Sequence, residues 1–187
     1  MRCNRRKFIK QCIALYGSLL LLPACDLKKG RQSFVSFTEE QADCIGAICE
    51  QIIPTDEYPG ALDAGVLNAG VLNYIDKQLY QRFPEQKARY EAGVKAVNAY
   101  CKEILGKNFV ALEWDVQTKV LQDMESNKLP EKYWPDISQS SFFWMVRQHT
   151  MQGFYGPPHH GGNKDYVSYR MMKLDYPFLV GQNRYGK

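Results

Sequence analysis

PEQKARYEAGVKAVNAYCKEILG, residues 84–106, is the stretch that decides the fold class. Within it Tyr90, Val94, Val97, Cys101 and Ile104 recur at steps of three and four, which lines one face of an α-helix with about 3.6 residues per turn. Polar and charged side chains dominate the other faces. Gly106 is the residue type that most readily closes a helix in the left-handed conformation. The spacing predicts an amphipathic helix over residues 84–105, and a stripe of this kind has to be buried against another element.

The flanking segments repeat the pattern. Upstream, Thr38-Glu39-Glu40-Gln41 is a capping box, in which the threonine hydroxyl accepts from the backbone three residues on while the glutamine reaches back. Ala42, Ile45, Ile48, Cys49 and Ile52 continue it as one apolar stripe, until Pro54 removes a backbone donor and stops the helix. After the turn-rich loop Pro54–Gly60 comes a tandem pentapeptide, Ala64–Asn68 and again Ala69–Asn73, which leads into Tyr74-Ile75-Asp76. Five extra residues inside a helix rotate everything downstream by about 140°, so one copy is expected in the preceding loop or in a bulge. Two copies of five residues do not make a solenoid.

Downstream, Trp114–Glu125 places Val116, Val120 and Met124 on one face, and Ser140–Phe154 carries Phe142, Phe143, Met145, Val146 and Met151. No alternating stretch argues for a sheet. The expectation is an all-α protein, a compact bundle of about five helices with an irregular aromatic C-terminal arm.

The 187 residues carry 24 Lys plus Arg against 20 Asp plus Glu, a formal charge of +4. Five of the basic side chains (Arg2, Arg5, Arg6, Lys7, Lys10) fall in Met1–Ala24, which has no acid, so from Cys25 onward 19 basic groups face 20 acidic ones. A body at −1 has no broad attraction for phosphates, and no nucleic-acid partner is expected. The 45% hydrophobic and 13% aromatic content excludes wholesale disorder.

The basic N-terminus is followed by the apolar run Ile13–Leu22 and then Pro23-Ala24-Cys25, the three-part order of an export signal. Ten helical residues rise only about 15 Å, too short for an ordinary membrane span. Arg5-Arg6-Lys7-Phe8-Ile9-Lys10 resembles the twin-arginine export signal, with Arg5, Arg6 and Phe8 in register. Leu22-Pro23-Ala24-Cys25 resembles a lipobox, in which Cys25 becomes the lipidated first residue. The domain expectation is therefore an export signal over 1–24, a tether over 25–36 and one helical domain over 37–187. The chain is expected in the periplasm, held at a membrane through lipidated Cys25 and exported folded.

Setting aside Cys3, Cys12 and Cys25 leaves Cys44, Cys49 and Cys101. Cys44 and Cys49, five apart on one helix, have Cα atoms roughly 8–9 Å apart, beyond disulfide reach. A bridge from Cys101 to one of them and three small buried thiols both stay open. No Cys-x-x-Cys-His suggests attached haem, and no glycine-rich fingerprint suggests a nucleotide cofactor.

His149, His159 and His160 are the only histidines. The adjacent pair sits in Gly153–Asn163, rich in glycine and proline, and no Asp, Glu or Cys at ligand spacing joins it. A general base needs an activated partner, and nothing nominates one. No catalytic, cofactor-binding or metal-binding residue is assigned. The last third is crowded with aromatics, including Trp134, Trp144, Phe154, Tyr155, Tyr166, Tyr169, Tyr176 and Phe178, which serve a core or an interface.

Taken in order, Phe37-Thr38, Ile52–Asp56, Pro59-Gly60-Ala61, Ala64-Gly65-Val66, Tyr74-Ile75-Asp76, Gly153–Gly156, Gly161-Gly162-Asn163 and Asp175-Tyr176-Pro177 resemble the small subunit, subunit 3, of the membrane-bound gluconate 2-dehydrogenase type. The pentapeptide duplication departs from that pattern. The resemblance implies a non-catalytic accessory subunit of a periplasmic dehydrogenase acting on a sugar, sugar acid or glycoside. Its partners would be a flavoprotein of the glucose–methanol–choline type holding FAD, and a cytochrome c subunit holding haem c. The small subunit would assist maturation and carry the flavoprotein through folded export. The expected partner surface is Phe154, Tyr155, Gly161, Gly162 and Asn163 with Tyr176 and Pro177. A free-standing envelope lipoprotein acting as a binding or scaffold module is the alternative, and an independent enzyme using His149 or His159 is a third reading.

Overall fold

The computed structural model describes residues 33–62 and 70–174. The export signal, with Arg5, Arg6 and Phe8, and the lipidation site Cys25 lie outside the described residues, as does the first copy of the pentapeptide. Six α-helices and no strand are found among the described residues: α1 Glu39–Ile52, α2 Val71–Gln81, α3 Lys87–Leu105, α4 Trp114–Glu125, α5 Gln139–Tyr155 and the short α6 Val167–Met171. The protein is all-α. Five of these helices answer to the expected ones, and α6 adds a turn and a half inside what the sequence suggests is an irregular arm. No helix of the described residues is long and apolar enough to cross a membrane.

The helix starts follow the local chemistry. Thr38 and Gln41 form the full capping box, the Thr38 hydroxyl accepting from the Gln41 amide (3.2 Å) and Gln41 Oε1 accepting from the Thr38 amide (2.9 Å). The second pentapeptide copy opens α2, with Gly70 as its N-cap and Val71 buried. A 3-10 turn at Pro84–Gln86 precedes α3, which Gly106 ends at φ 75°. Ser138 caps α5 by accepting from the Ser141 amide.

Helix α5 is the axis of the fold and touches every other helix. Its buried residues, Phe142, Met145, Val146, His149, Thr150, Gly153 and Phe154 among them, cover about half the helix circumference. Tyr90, Phe109, Phe142 and Phe154 are all under 2% exposed, each burial worth roughly 1.5–3 kcal/mol. Tyr90 meets Phe37 (5.5 Å) and the edge of Phe142 (6.3 Å, 81°). Phe142 lies directly on Gly93 of α3, where an added Cβ would stand 2.1 Å from the ring.

Three details of the predicted stripes are corrected. Val116 is 37% exposed, and Gln117 is buried in its place. A glutamine is tolerated there because its amide donates to the Phe109 carbonyl (2.9 Å) and its Oε1 accepts from Gln51 (2.9 Å). Ile104 stands exposed, and the last turn of α3 packs through Leu105 instead. Met151 is also exposed, because α5 buries the side opposite to it. Cys44, Cys49 and Cys101 are free, buried thiols. Burial pushes Cys49 and Cys101 up to about 12 and Cys44 higher still, so all three are inert thiols rather than nucleophiles.

Candidate functional site

Several of the segments that the resemblance rests on, far apart in the chain, are joined by hydrogen bonds through α2, residues 35–37 at Asp76 and Gly161 at Asn73. Asp76 of α2 is 4% exposed, and its carboxylate accepts three backbone N–H groups. Oδ1 takes those of Ser36 (2.7 Å) and Phe37 (3.2 Å), and Oδ2 takes that of Val35 (3.0 Å). The Ser36 hydroxyl donates to the Asp76 carbonyl (3.0 Å). An acid on the buried side of an amphipathic helix is thereby satisfied, and residues 35–37 are clasped to α2. One helix earlier, the Glu50 carboxylate of α1 does the same for the loop after that helix, accepting from the amides of Thr55 (2.7 Å) and Leu62 (3.0 Å).

The loop that leaves α5 folds back over the helix end. Asn73 Nδ2 donates to the Gly161 carbonyl (2.8 Å), and Tyr74 donates its hydroxyl to Gln152 Oε1 (3.1 Å). Asn163, in the left-handed region at φ 45°, donates to the Gly156 carbonyl (2.9 Å) and accepts from the Ser168 amide (3.0 Å). Gly162 lies so close to α5 that an added Cβ would stand 2.1 Å from the Gly153 carbonyl oxygen. Gly161 has φ 98°, a conformation that favours glycine. The glycines and Asn163 act as a clasp, and all three are buried.

This changes what the predicted partner residues do. Phe154 is a core side chain at 1% exposure, with Tyr155 packed against it edge-on (4.9 Å, 80°). It was expected on the surface because an aromatic run looks the same in sequence whichever side is buried. Gly161, Gly162 and Asn163 hold the loop from inside, and the side chains left at the surface are those of the residues around them. Those are Tyr155, at 36% exposure, with Met151 one turn before it and the exposed His159 and His160 after it. Tyr176 and Pro177 lie outside the described residues.

His159 and His160 have ring centroids 3.9 Å apart. Burial, then His159 and Arg82, holds His160 below its ordinary value. No cluster of three or more His, Cys, Asp or Glu side chains that could hold a metal is found among the described residues.

His149 is placed differently. It is 7% exposed, its Nδ1 lies 2.8 Å from the Tyr90 hydroxyl, and its ring runs near-parallel to Tyr90 (8°) and Phe83 (17°). Burial holds Tyr90 well above the ordinary phenol range, so the hydroxyl keeps its proton. Donating it to Nδ1 satisfies the buried O–H, and with the hydroxyl as donor the imidazole is the neutral Nε2–H tautomer. The ring borders an open groove of about 500 Å³ between the start of α3 and the outer side of α5.

Burial holds His149 below its ordinary 6.5, and the sign of the resulting pH dependence is fixed. In the window from 6.5 down to the depressed folded value, the unfolded chain binds a proton that the folded chain refuses. Stability is therefore full at neutral pH and falls on acidification, by up to about 1.4 kcal/mol per pH unit. His149→Gln should flatten that part of the stability curve between pH 7 and 5.5 in urea titrations. An unchanged slope would remove His149 as its cause.

A family model described as gluconate 2-dehydrogenase subunit 3 matches residues 39–175. No curated protein matches the chain, and no solved structure matches it. The matched span runs from the first residue of α1 to just past α6, and it contains Asp76, the Gly153–Gly156 end of α5 and the Gly161–Asn163 clasp.

Proposed function

Because the chain belongs to the gluconate 2-dehydrogenase subunit 3 family, an accessory subunit of a dehydrogenase complex, we propose that it serves a periplasmic FAD-dependent dehydrogenase of the glucose–methanol–choline type. The oxidised substrate is a sugar, a sugar acid or a glycoside. This chain contributes no catalytic residue; FAD sits in the large subunit, and haem c in a cytochrome subunit that takes the electrons onward. The family match over most of the chain is the observation that carries the proposal.

The N-terminus supports a role in export. Arg5, Arg6 and Phe8 make a signal for folded cargo, and Cys25 makes a lipid anchor. A signal of that kind suits a subunit that accompanies a flavoprotein already holding its cofactor. Affinity capture of the tagged chain from envelope extracts should recover a flavoprotein with bound FAD. Its absence from captures with the signal intact and with Arg5 and Arg6 replaced by Lys would sink the proposal.

We place the partner contact on the outer side of α5 where it runs into the clasp, around Met151 and Tyr155. Both are exposed apolar side chains one helical turn apart, and Tyr is enriched at binding hot spots. Replacing both by Ala should weaken capture of the flavoprotein about tenfold or more while leaving the helical circular dichroism and melting temperature near wild type. Capture at wild-type strength would move the contact elsewhere.

A further inference from the structure

The groove beside His149 carries polar atoms that the fold itself does not satisfy. Gln86 Oε1 is buried on its wall and finds no hydrogen-bond donor among the described residues, a deficit that folded proteins seldom leave standing. The Tyr90 bond to Nδ1 leaves Nε2–H as the remaining donor of the His149 ring. Arg89, in no ion pair among the described residues, lies on the same rim, and Gln148 and Gln152 of α5 add amide donors and acceptors. Beside them stands Trp144, on the groove wall yet 62% exposed.

We propose that this groove is a carbohydrate-binding site, taking a single pyranose ring. A sugar is the ligand class whose hydroxyls each donate and accept, so one hydroxyl can give its proton to Gln86 Oε1, once that half-buried amide turns from its closed-off position toward the groove, while a neighbour accepts from His149 Nε2–H. Its axial C–H face is apolar and stacks on an indole, which explains an exposed tryptophan beside unpaired polar atoms. A purely apolar ligand would leave the Gln86 oxygen orphaned. The groove, at about 500 Å³, falls within the range of small-molecule sites. The site goes beyond the accessory role and does not depend on a partner, since every residue named belongs to this chain.

The test uses the full-length chain in detergent, with methyl β-D-glucopyranoside as probe and saturation-transfer NMR as readout. Saturable binding with a dissociation constant on the order of 1–10 mM is expected, with the strongest transfer to the axial C–H protons. Trp144→Ala should weaken binding at least tenfold, and Trp144→Phe, which keeps a stacking face, should recover part of it. Gln86→Leu should weaken binding at least fivefold while the melting temperature stays at or above wild type, because the variant removes an unsatisfied buried oxygen. No saturable transfer up to roughly 100 mM, or equal affinity in the Trp144→Ala and Gln86→Leu variants and the wild type, would overturn the proposal. Because the chain is tested alone, its failure leaves the flavoprotein capture experiment untouched, and the reverse holds too.

Discussion

Asp76→Ala is expected to destabilise the protein by about 3–5 kcal/mol, with the midpoint of urea denaturation falling and residues 35–37 losing protection from hydrogen exchange. The reason is the number of donors involved. One carboxylate accepts from the amides of Val35, Ser36 and Phe37, and alanine leaves them facing a buried space with nothing to accept. An unsatisfied buried donor costs roughly 1–3 kcal/mol, and even partial rehydration of the three leaves a large loss. Phe37, 7% exposed and packed against Tyr90, would lose its fixed approach to the core, which links the clasp to the centre of the bundle. Asp76→Asn keeps one acceptor oxygen and should fall between. A loss under about 1 kcal/mol for Asp76→Ala, or exchange protection unchanged at residues 35–37, would show that the segment is held by Phe37 packing alone.

The second large effect belongs to Gly162. Gly162→Ala should cost about 2–4 kcal/mol, since the new Cβ would meet the Gly153 carbonyl oxygen at 2.1 Å and the Gly153 Cα at 3.0 Å. Both obstacles are backbone of α5, so no side chain can swing away and the whole loop has to lift. Lifting it strains the bonds that Asn163 makes to Gly156 and Ser168 and the bond from Asn73 to Gly161. Gly106→Ala is the useful comparison. Its φ is 75°, but nothing lies within 4 Å of the added atom, so it should cost only about 1 kcal/mol for the left-handed backbone. Since Gly162 itself has no left-handed backbone, a loss at Gly162 no larger than that at Gly106 would mean that the loop accommodates the methyl group and that close contact with α5 is not what Gly162 supplies.

The two glycines were not equally legible. Gly106 is readable as a helix end because it follows a completed apolar stripe and precedes polar residues. Gly162 is one of several glycines in a loop, and its requirement comes from a helix end nine residues earlier in the chain that only the fold brings against it. The same contrast separates Thr38 from Asp76. The capping box is a contact between residues three apart, decided by local geometry. Asp76 finds its donors about 40 residues away, and in sequence it is simply an acid next to an isoleucine. Gln117 shows the limit of periodicity: Val116 is the better core residue by polarity, but a glutamine with its amide groups bonded is buried instead.

What the sequence by itself determined was the class and order of the elements. Three- and four-residue spacing, a capping box, Pro54 and Gly106 act within a turn or two of the chain, and that range is enough to set helices and their ends. The order of short motifs from Phe37 to Asp175 also carried the family. The tertiary structure alone decided which side of each helix is covered, that Phe154 belongs to the core while Tyr155 is presented, and that Gln86 and His149 share one groove. Those outcomes depend on contacts between residues tens of positions apart. Such contacts form only when α5 is packed on all its neighbours, and hydrophobicity has no direction of its own until that packing supplies one.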